Sequence, residues 1–389
     1  MNQLPIQSSF GLVHTQFMHH PAPFELASGK WLNEFTLAYE TYGKLNQNKN
    51  NAILICHALT GSANAAGSHN ESTKPGWWDN FIGPGKVIDT NHFFVVSSNN
   101  LGGCNGSTGP LSTNPNTGQS YGAHFPTVRV RDWVNSQHLL MQYLGIKQWA
   151  AIIGGSLGGM QVMRWSLQFP TCVRHSIILA SSMKLTSQNI AFNVTAREAI
   201  IQDEQFATGH FYQNEQKPHK GVSLARMIGH LTYLSDDGMD EKFGRDLKSG
   251  SFALGQDSEL EFQIASYLRY QGNKFAKAFD ANSYILMTQA LDYFDLAREY
   301  DDDPVSAFNH ALCDFLVISF TSDWRFSAEK SRDIVNALIA AKKKVVYANI
   351  ESNAGHDAFL LPNPQYEAVF RGYMQRVIKS TQLESHLCV

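Results

Sequence analysis

Trp149-Ala150-Ala151-Ile152-Ile153-Gly154-Gly155-Ser156-Leu157-Gly158-Gly159-Met160 is the stretch that decides the fold. Trp149 to Ile153 is apolar throughout, as a short strand buried on both faces requires. Met160 to Phe169 has a helical pattern, and Pro170 ends it. Between them lies G-x-S-x-G, from Gly154 to Gly158. A strand that turns sharply into a helix around one serine lifts that hydroxyl above the sheet, beside the positive helix end. The glycines fit a turn so crowded that a Cβ would clash. The plain alternative is a glycine-rich turn with an incidental serine. The strand before it and the helix after it argue against that alternative.

Outward from the turn, strand and helix patterns alternate. Phe35 to Gly43 alternates like a half-buried strand, and Ala52 to His57 and Phe93 to Ser97 are apolar runs. Asn99 to Tyr121 is a loop rich in Gly, Asn and Ser, and Val128 to Leu144 reads as a helix. His175 to Ala180, Asp314 to Phe320 and Lys344 to Ile350 are further strands, with helices over Ala328–Ala341 and Gln365–Ile378. This alternation predicts an α/β architecture, a mainly parallel sheet with helices on both faces. Residues 184–307 are mostly helical in pattern and interrupt it. They predict an inserted helical cap between core segments 1–183 and 308–389.

Composition narrows the classes. The chain has 389 residues, 43% hydrophobic and 17% charged, enough for a large core. A net charge of -3 gives no reason to expect nucleic acid or an anionic membrane as partner. Five cysteines without CxxC or metal spacing point to reduced thiols and the cytoplasm, with Cys56 and Cys313 in the core. Neither a signal peptide nor a membrane-length apolar run is visible.

A serine hydroxyl is a weak nucleophile, so it needs a base and an orienting carboxylate. In a sheet of this kind both belong at the carboxyl ends of later strands. Asp323 follows the strand ending at Phe320, and His356 follows the strand ending near Ile350. Ser156, Asp323 and His356 are therefore the expected catalytic triad. Asp314 is the competing acid, but it precedes its strand and belongs to the wrong end. The oxyanion would take backbone N–H groups from Leu157 and, in the loop after Cys56, from Leu59. His57 beside that loop reads as structural.

Other signals lead nowhere. Gly83-Pro84-Gly85-Lys86 lacks the spacing of a phosphate loop. Leu101 to Gly106 is not followed by the helix a dinucleotide fold needs. His19, His20 and His69 lack zinc spacing, so no metal is expected. Asp301-Asp302-Asp303 reads as a solvated loop and Trp77-Trp78 as packing.

The triad leaves hydrolase and acyltransferase open. At this point the chain resembles a known family, the homoserine O-acyltransferases of methionine biosynthesis, which have the α/β-hydrolase fold. The resemblance rests on Leu59-Thr60-Gly61-Ser62-Ala63, Pro75-Gly76-Trp77-Trp78-Asp79, Ile82 to Lys86, Asn100 to Gly106, Gly154 to Gln161, Arg226 to Tyr233, Ser322-Asp323-Trp324 and Ala354 to Phe359. It implies an acyl-CoA donor as co-substrate, an acyl-serine intermediate, L-homoserine as acceptor and no resident cofactor. It assigns Arg226 to the homoserine carboxylate and Asp357 to its ammonium, with Tyr233 and Thr60 assisting. It also implies a homodimer formed through the cap helices.

The family divides between acetyl-CoA and succinyl-CoA. Acetyl-type members resemble Asp-Trp-Leu-Phe after the catalytic acid, whereas this chain has Asp323-Trp324-Arg325-Phe326. A succinyl group ends in a free carboxylate, and Arg325 is suited to meet it. The expectation is a homoserine O-acyltransferase of the succinyl-CoA type. Acetyl transfer and simple ester or thioester hydrolysis are the alternatives.

Overall fold

Strands whose side chains are all apolar can be covered on both faces, and they form the middle of an eight-stranded sheet. The computed structural model describes residues 10–69, 74–248 and 262–385. In chain order the sheet contains β1 (Gln16–His20), β2 (Phe35–Tyr42), β3 (Ala52–Cys56) and β4 (Phe94–Ser98). β5 (Ala151–Gly155), β6 (His175–Leu179), β7 (Asp314–Phe320) and β8 (Val345–Ile350) complete it. The spatial order is β1-β2-β4-β3-β5-β6-β7-β8. β2 pairs antiparallel with both β1 and β4, and every other pairing is parallel.

Alternate residues of the central strands feed two cores. Leu54 and Ile152 face one side, where they join Trp133 of α1 (Val130–Tyr143) and Met160 and Trp165 of α2 (Leu157–Gln168). Ile53, Ile55 and Ile153 face the other, with Trp78 and Phe81. The mainly parallel sheet with helices on both faces, expected from the alternation, is the arrangement observed.

Between β6 and β7 run α3 (Ser187–Ile201), α4 (His219–Tyr233), α5 (Asp236–Phe243), α6 (Gln263–Ala276), α7 (Ala281–Asp292) and α8 (Pro304–Asn309). Ala196 and Ile200 of α3, Val222 and Ala225 of α4 and Ala276 of α6 share a small core of their own. α7 reaches further: its Ala281 and Tyr284 join that small core. Its Leu286, Met287, Ala290 and Leu291 belong to the main core under the sheet. The helical block thus has an outer part, α3, α4 and α6, and an inner anchor, α7. Asp303, read as part of a solvated loop, is the N-cap of α8 and accepts from Val305 and Ser306 N–H.

After β7 the chain forms α9 (Ala328–Ala340), and after β8 α10 (Pro364–Ser385). α10 packs Tyr366, Phe370 and Val377 on the second face of the sheet. Cys56 and Cys313 are buried free thiols, and Cys388 lies outside the described residues. No helix among the described residues is long and apolar enough to cross a membrane.

Candidate active site

α2 begins at Leu157, not at Met160 as its pattern suggested. Gly158 and Gly159 weaken the helical signal, but packing demands the first of them. A Cβ on Gly158 would lie 2.1 Å from the Cys56 carbonyl oxygen, so no side chain fits where α2 crosses the end of β3. Ser156 sits at the turn with φ 57° and ψ −124°, a strained backbone that a non-glycine residue rarely adopts. Its N–H donates to the Leu179 carbonyl at 3.0 Å, and its carbonyl accepts from the Ser181 hydroxyl at 2.8 Å. Neighbouring strand ends thus hold the turn in place.

The turns after β7 and β8 bring the partners. His356 Nε2 lies 2.9 Å from Ser156 Oγ, and its Nδ1 lies 2.7 Å from Asp323 Oδ2. A carboxylate can only accept, so Nδ1 carries the proton and Nε2 faces the hydroxyl as acceptor. The other Asp323 oxygen, Oδ1, accepts from Arg325 N–H at 3.0 Å and Phe326 N–H at 2.8 Å. The Asp323 carboxylate is fully buried with both oxygens engaged. Phe326 stacks on the His356 ring, with centroids 4.8 Å apart. Gly355 makes the approach to His356 possible: its φ is +65°, and a Cβ there would lie 2.3 Å from the Tyr233 carbonyl oxygen. Asp314 begins β7 at the far end of the strand and pairs with Arg376.

Cys56 pairs in register with Gly154, which puts the Ala58-Leu59 loop beside the serine turn. Among the described residues, neither the Leu59 nor the Leu157 N–H has a hydrogen-bond partner. The Leu157 N–H belongs to the first turn of α2, where no intrahelical acceptor exists. A buried polar chain supports the loop from below. His57 Nδ1 donates to the Ala58 carbonyl at 2.7 Å, and Nε2 accepts from Asn100 N–H at 3.1 Å. Burial lowers the His57 pKa to about 4, so the ring is neutral and structural. Gln161 donates to the His57 carbonyl, Gln137 donates to Gln161, and Trp165 donates to Gln137. Sequence reading did not single out Gln137 or Gln161. Their only signal was an amide on an otherwise apolar helix face.

The charged residues come from α4 and from the two catalytic-side turns. Arg226 is half-buried, with its guanidinium over the rings of Tyr233 at 5.6 Å and Phe275 at 4.8 Å. Its polar contact is Nη1 to Thr60 Oγ1 at 3.5 Å. Asp357 is half-buried next to His356, and burial raises its pKa against the opposing pull of His356 and Arg226. Among the described residues its carboxylate has no hydrogen-bond or ion-pair partner. The Tyr233 ring lies 6.2 Å from the His356 ring. Arg325 is 6% exposed and covers the Tyr233 ring at 5.4 Å. Its guanidinium donates to Thr232 Oγ1 and, at 3.0 Å, to Asn193 Oδ1. Contacts thus join Ser156, His356, Asp323, Tyr233, Arg226, Thr60 and Arg325, and Asp357 adjoins His356 in the chain. Asn193 and Thr232 were missed, because a single polar residue on a helix is ordinary until its neighbour is known.

The rejected motifs are structural. Lys86 pairs with Asp79 at 3.0 Å. Trp77 and Trp78 stack on each other, and Trp78 Nε1 donates to the Phe359 carbonyl at 3.2 Å, bracing the turn that carries His356. Among the described residues, no group of three His, Cys, Asp or Glu side chains is placed to hold a metal ion.

A family model of the α/β hydrolase fold matches residues 51–362, which sets the class. Among curated proteins, the homoserine O-succinyltransferase of Cellvibrio japonicus (strain Ueda107) is 62% identical over 377 residues, 97% of this chain and 99% of that protein. The homoserine O-succinyltransferase of Teredinibacter turnerae (strain ATCC 39867 / T7901) is 60% identical over 372 residues, 95% of this chain and 97% of that protein. The chain belongs to the homoserine O-acyltransferase family of the α/β-hydrolase fold. Two solved structures are also similar. A homoserine O-acetyltransferase from Bacillus anthracis has a TM-score of 0.86 at 26% identity, covering 93% of this chain and 97% of that one. Esterase E22 has a TM-score of 0.84 at 28% identity, covering 93% and 99%. Backbone shape is thus shared between a transferase and an esterase, and the side chains have to separate them.

Proposed function

We propose that the protein is a homoserine O-succinyltransferase working by two acyl transfers. His356 Nε2 takes the Ser156 proton as Oγ attacks the thioester carbonyl of succinyl-CoA. The C–S bond breaks, the CoA thiolate leaves with that proton, and succinyl-Ser156 remains. His356 then takes the proton of the homoserine hydroxyl, whose oxygen attacks the ester. O-succinylhomoserine leaves, and the proton returns to Ser156. Asp323 holds the imidazole in the required tautomer and stabilises its cation. The N–H groups of Leu59 and Leu157 bind the oxyanion, each contributing ~3 kcal/mol to the transition state.

Charge pairing supports the substrate assignment. Homoserine is a zwitterion, so Arg226 takes its carboxylate and Asp357 its ammonium, with Thr60 and Tyr233 lining the same space. Arg325 takes the free carboxylate of the donor's succinyl group. The observation that carries this reading is the buried Arg325 guanidinium: it covers the Tyr233 ring, which lies 6.2 Å from the His356 ring, and among the described residues its partners are neutral. A buried cation without an anion is costly, and a dicarboxylic acyl group supplies the anion.

The exposed apolar side chains Val194 and Ile201 of α3 and Leu224 and Leu231 of α4 support a homodimer through these helices. The proposed reaction serves methionine biosynthesis, and its CoA and amino-acid substrates support a cytoplasmic location.

The test is a donor comparison at fixed homoserine, with a control lacking homoserine. Succinyl-CoA is expected to outperform acetyl-CoA, and steady CoA release to require homoserine. A preference for acetyl-CoA would make the enzyme an acetyltransferase. Steady release that ignores homoserine would make it a hydrolase.

A further inference from the structure

We propose that Asn193 is a specificity-determining positioning residue, which orders Arg325 while leaving its positive charge uncancelled for the carboxylate of the donor acyl group. The proposal rests on the reading of Arg325 given above and adds the device that makes it work.

The device is a chain of four side chains. Arg325 Nη2 donates to Asn193 Oδ1 at 3.0 Å. Asn193 Nδ2 donates to Asp292 Oδ1 at 2.6 Å. Asp292 Oδ2 lies 2.7 Å from Arg197 Nη1. Asn193 is 3% exposed, and the Arg197 and Asp292 side chains are 13% and 11% exposed. A guanidinium only donates and a carboxylate only accepts, so the amide between them has one workable orientation. An aspartate at this position could not donate to Asp292 when ionised, and it would neutralise Arg325.

The arrangement therefore separates two cations and one anion in a particular way. Asp292 is spent on Arg197, and among the described residues the Arg325 guanidinium receives only an amide, a hydroxyl and an aromatic face. One helical turn before Asn193, Asn189 Nδ2 donates to the Arg325 carbonyl at 2.8 Å. Asn189 and Asn193 face the same way on α3, so one helix fixes both the backbone and the guanidinium of Arg325. A fold selected only for stability would gain by pairing such a buried cation with a buried anion, because its desolvation is otherwise uncompensated. Uncancelled charge that is nonetheless held rigidly suits a ligand that brings the missing carboxylate.

The test measures the rate of CoA release in the acylation step with succinyl-CoA and acetyl-CoA from pH 7 to 9, because a carboxyl at position 193, in contact with Asp292, resists ionisation until the pH is raised. For Asn193→Asp the succinyl-to-acetyl ratio is expected to fall roughly 30-fold or more, the size of effect seen when a close charge pair is lost. Arg197→Gln leaves Asp292 uncompensated one amide away from Arg325, and the ratio is expected to fall on the order of threefold to tenfold. A general loss of packing slows both donors together and does not move the ratio. Arg325→Leu tests the underlying reading and is expected to abolish the preference. If Arg325→Leu abolishes it while folded Asn193→Asp keeps the wild-type ratio, the proposal fails and the reading stands. If Arg325→Leu also keeps the ratio, both fail. Should Asn193→Asp not fold, an unchanged ratio in Arg197→Gln overturns the proposal.

Discussion

The rim of the sheet and the helical side of the site are built on opposite terms. At the rim, Ser156, His356 and Asp323 find their polar partners within the protein, and strand ends dictate their positions. Where the rim meets the helices, two cations find no anion among the described residues. Arg226 rests on two aromatic faces and one long contact to Thr60. Arg325 is tied to neutral groups. His230, buried one turn after Arg226, has neither ring nitrogen hydrogen-bonded among the described residues. The difference teaches a division of labour. On the proposed function, the rim serves acyl transfer whatever the acyl group, and the residues facing the helices select the substrates.

The largest expected effect breaks the rim. Ser156→Ala is expected to lower CoA release roughly 10^4-fold or more with either donor. Mass spectrometry should then find no acyl adduct on the protein. An adduct surviving in that variant would move the nucleophile elsewhere.

A smaller effect isolates the helical side. Arg226→Ala is expected to slow transfer to homoserine roughly 100-fold through loss of a charge-assisted pair. The initial burst of CoA should persist, because acylation does not use that residue. A lost burst would mean that the two regions do not divide the work as described.

The smallest effect touches both regions. Burial lowers the pKa of His57, under the oxyanion loop, to about 4, and that of His175 to about 4. Burial, with Arg226 and Lys242 nearby, lowers that of His230 to about 4. Below the unfolded value of 6.5 the unfolded chain binds protons that the folded chain refuses, so stability falls as pH falls towards 4. Calorimetry is expected to show Tm roughly 5 °C or more lower at pH 5 than at pH 7. A flat profile would mean that these rings are protonated in the native state.

Legibility in the sequence follows the same division. β3, β5, β6 and β7 were readable because strands covered on both faces leave continuous apolar runs. The triad was readable because catalytic groups must follow strand ends. β1 was not, because an edge strand with one exposed face carries Gln16, His19 and His20 and resembles a loop. The true start of α2 was hidden by glycines that packing requires. Arg226, Asp357 and Arg325 came from a family resemblance, since a charged residue on a helix or loop is ordinary in itself. Neither source gave Asn193 or Gln161 a role of its own. What each contributes is a contact between residues remote along the chain.

The Ser156 hydroxyl and the His356 imidazole that faces it are 200 residues apart. During synthesis the serine leaves the ribosome long before its base exists. Until β7 and β8 have been made and docked, β6 is an open edge and the hydroxyl remains an ordinary alcohol. Such long-range pairing makes assembly slow, but it also keeps growing chains from consuming thioesters. A chain terminated before the turn after β8 lacks His356, the base that the Ser156 hydroxyl needs.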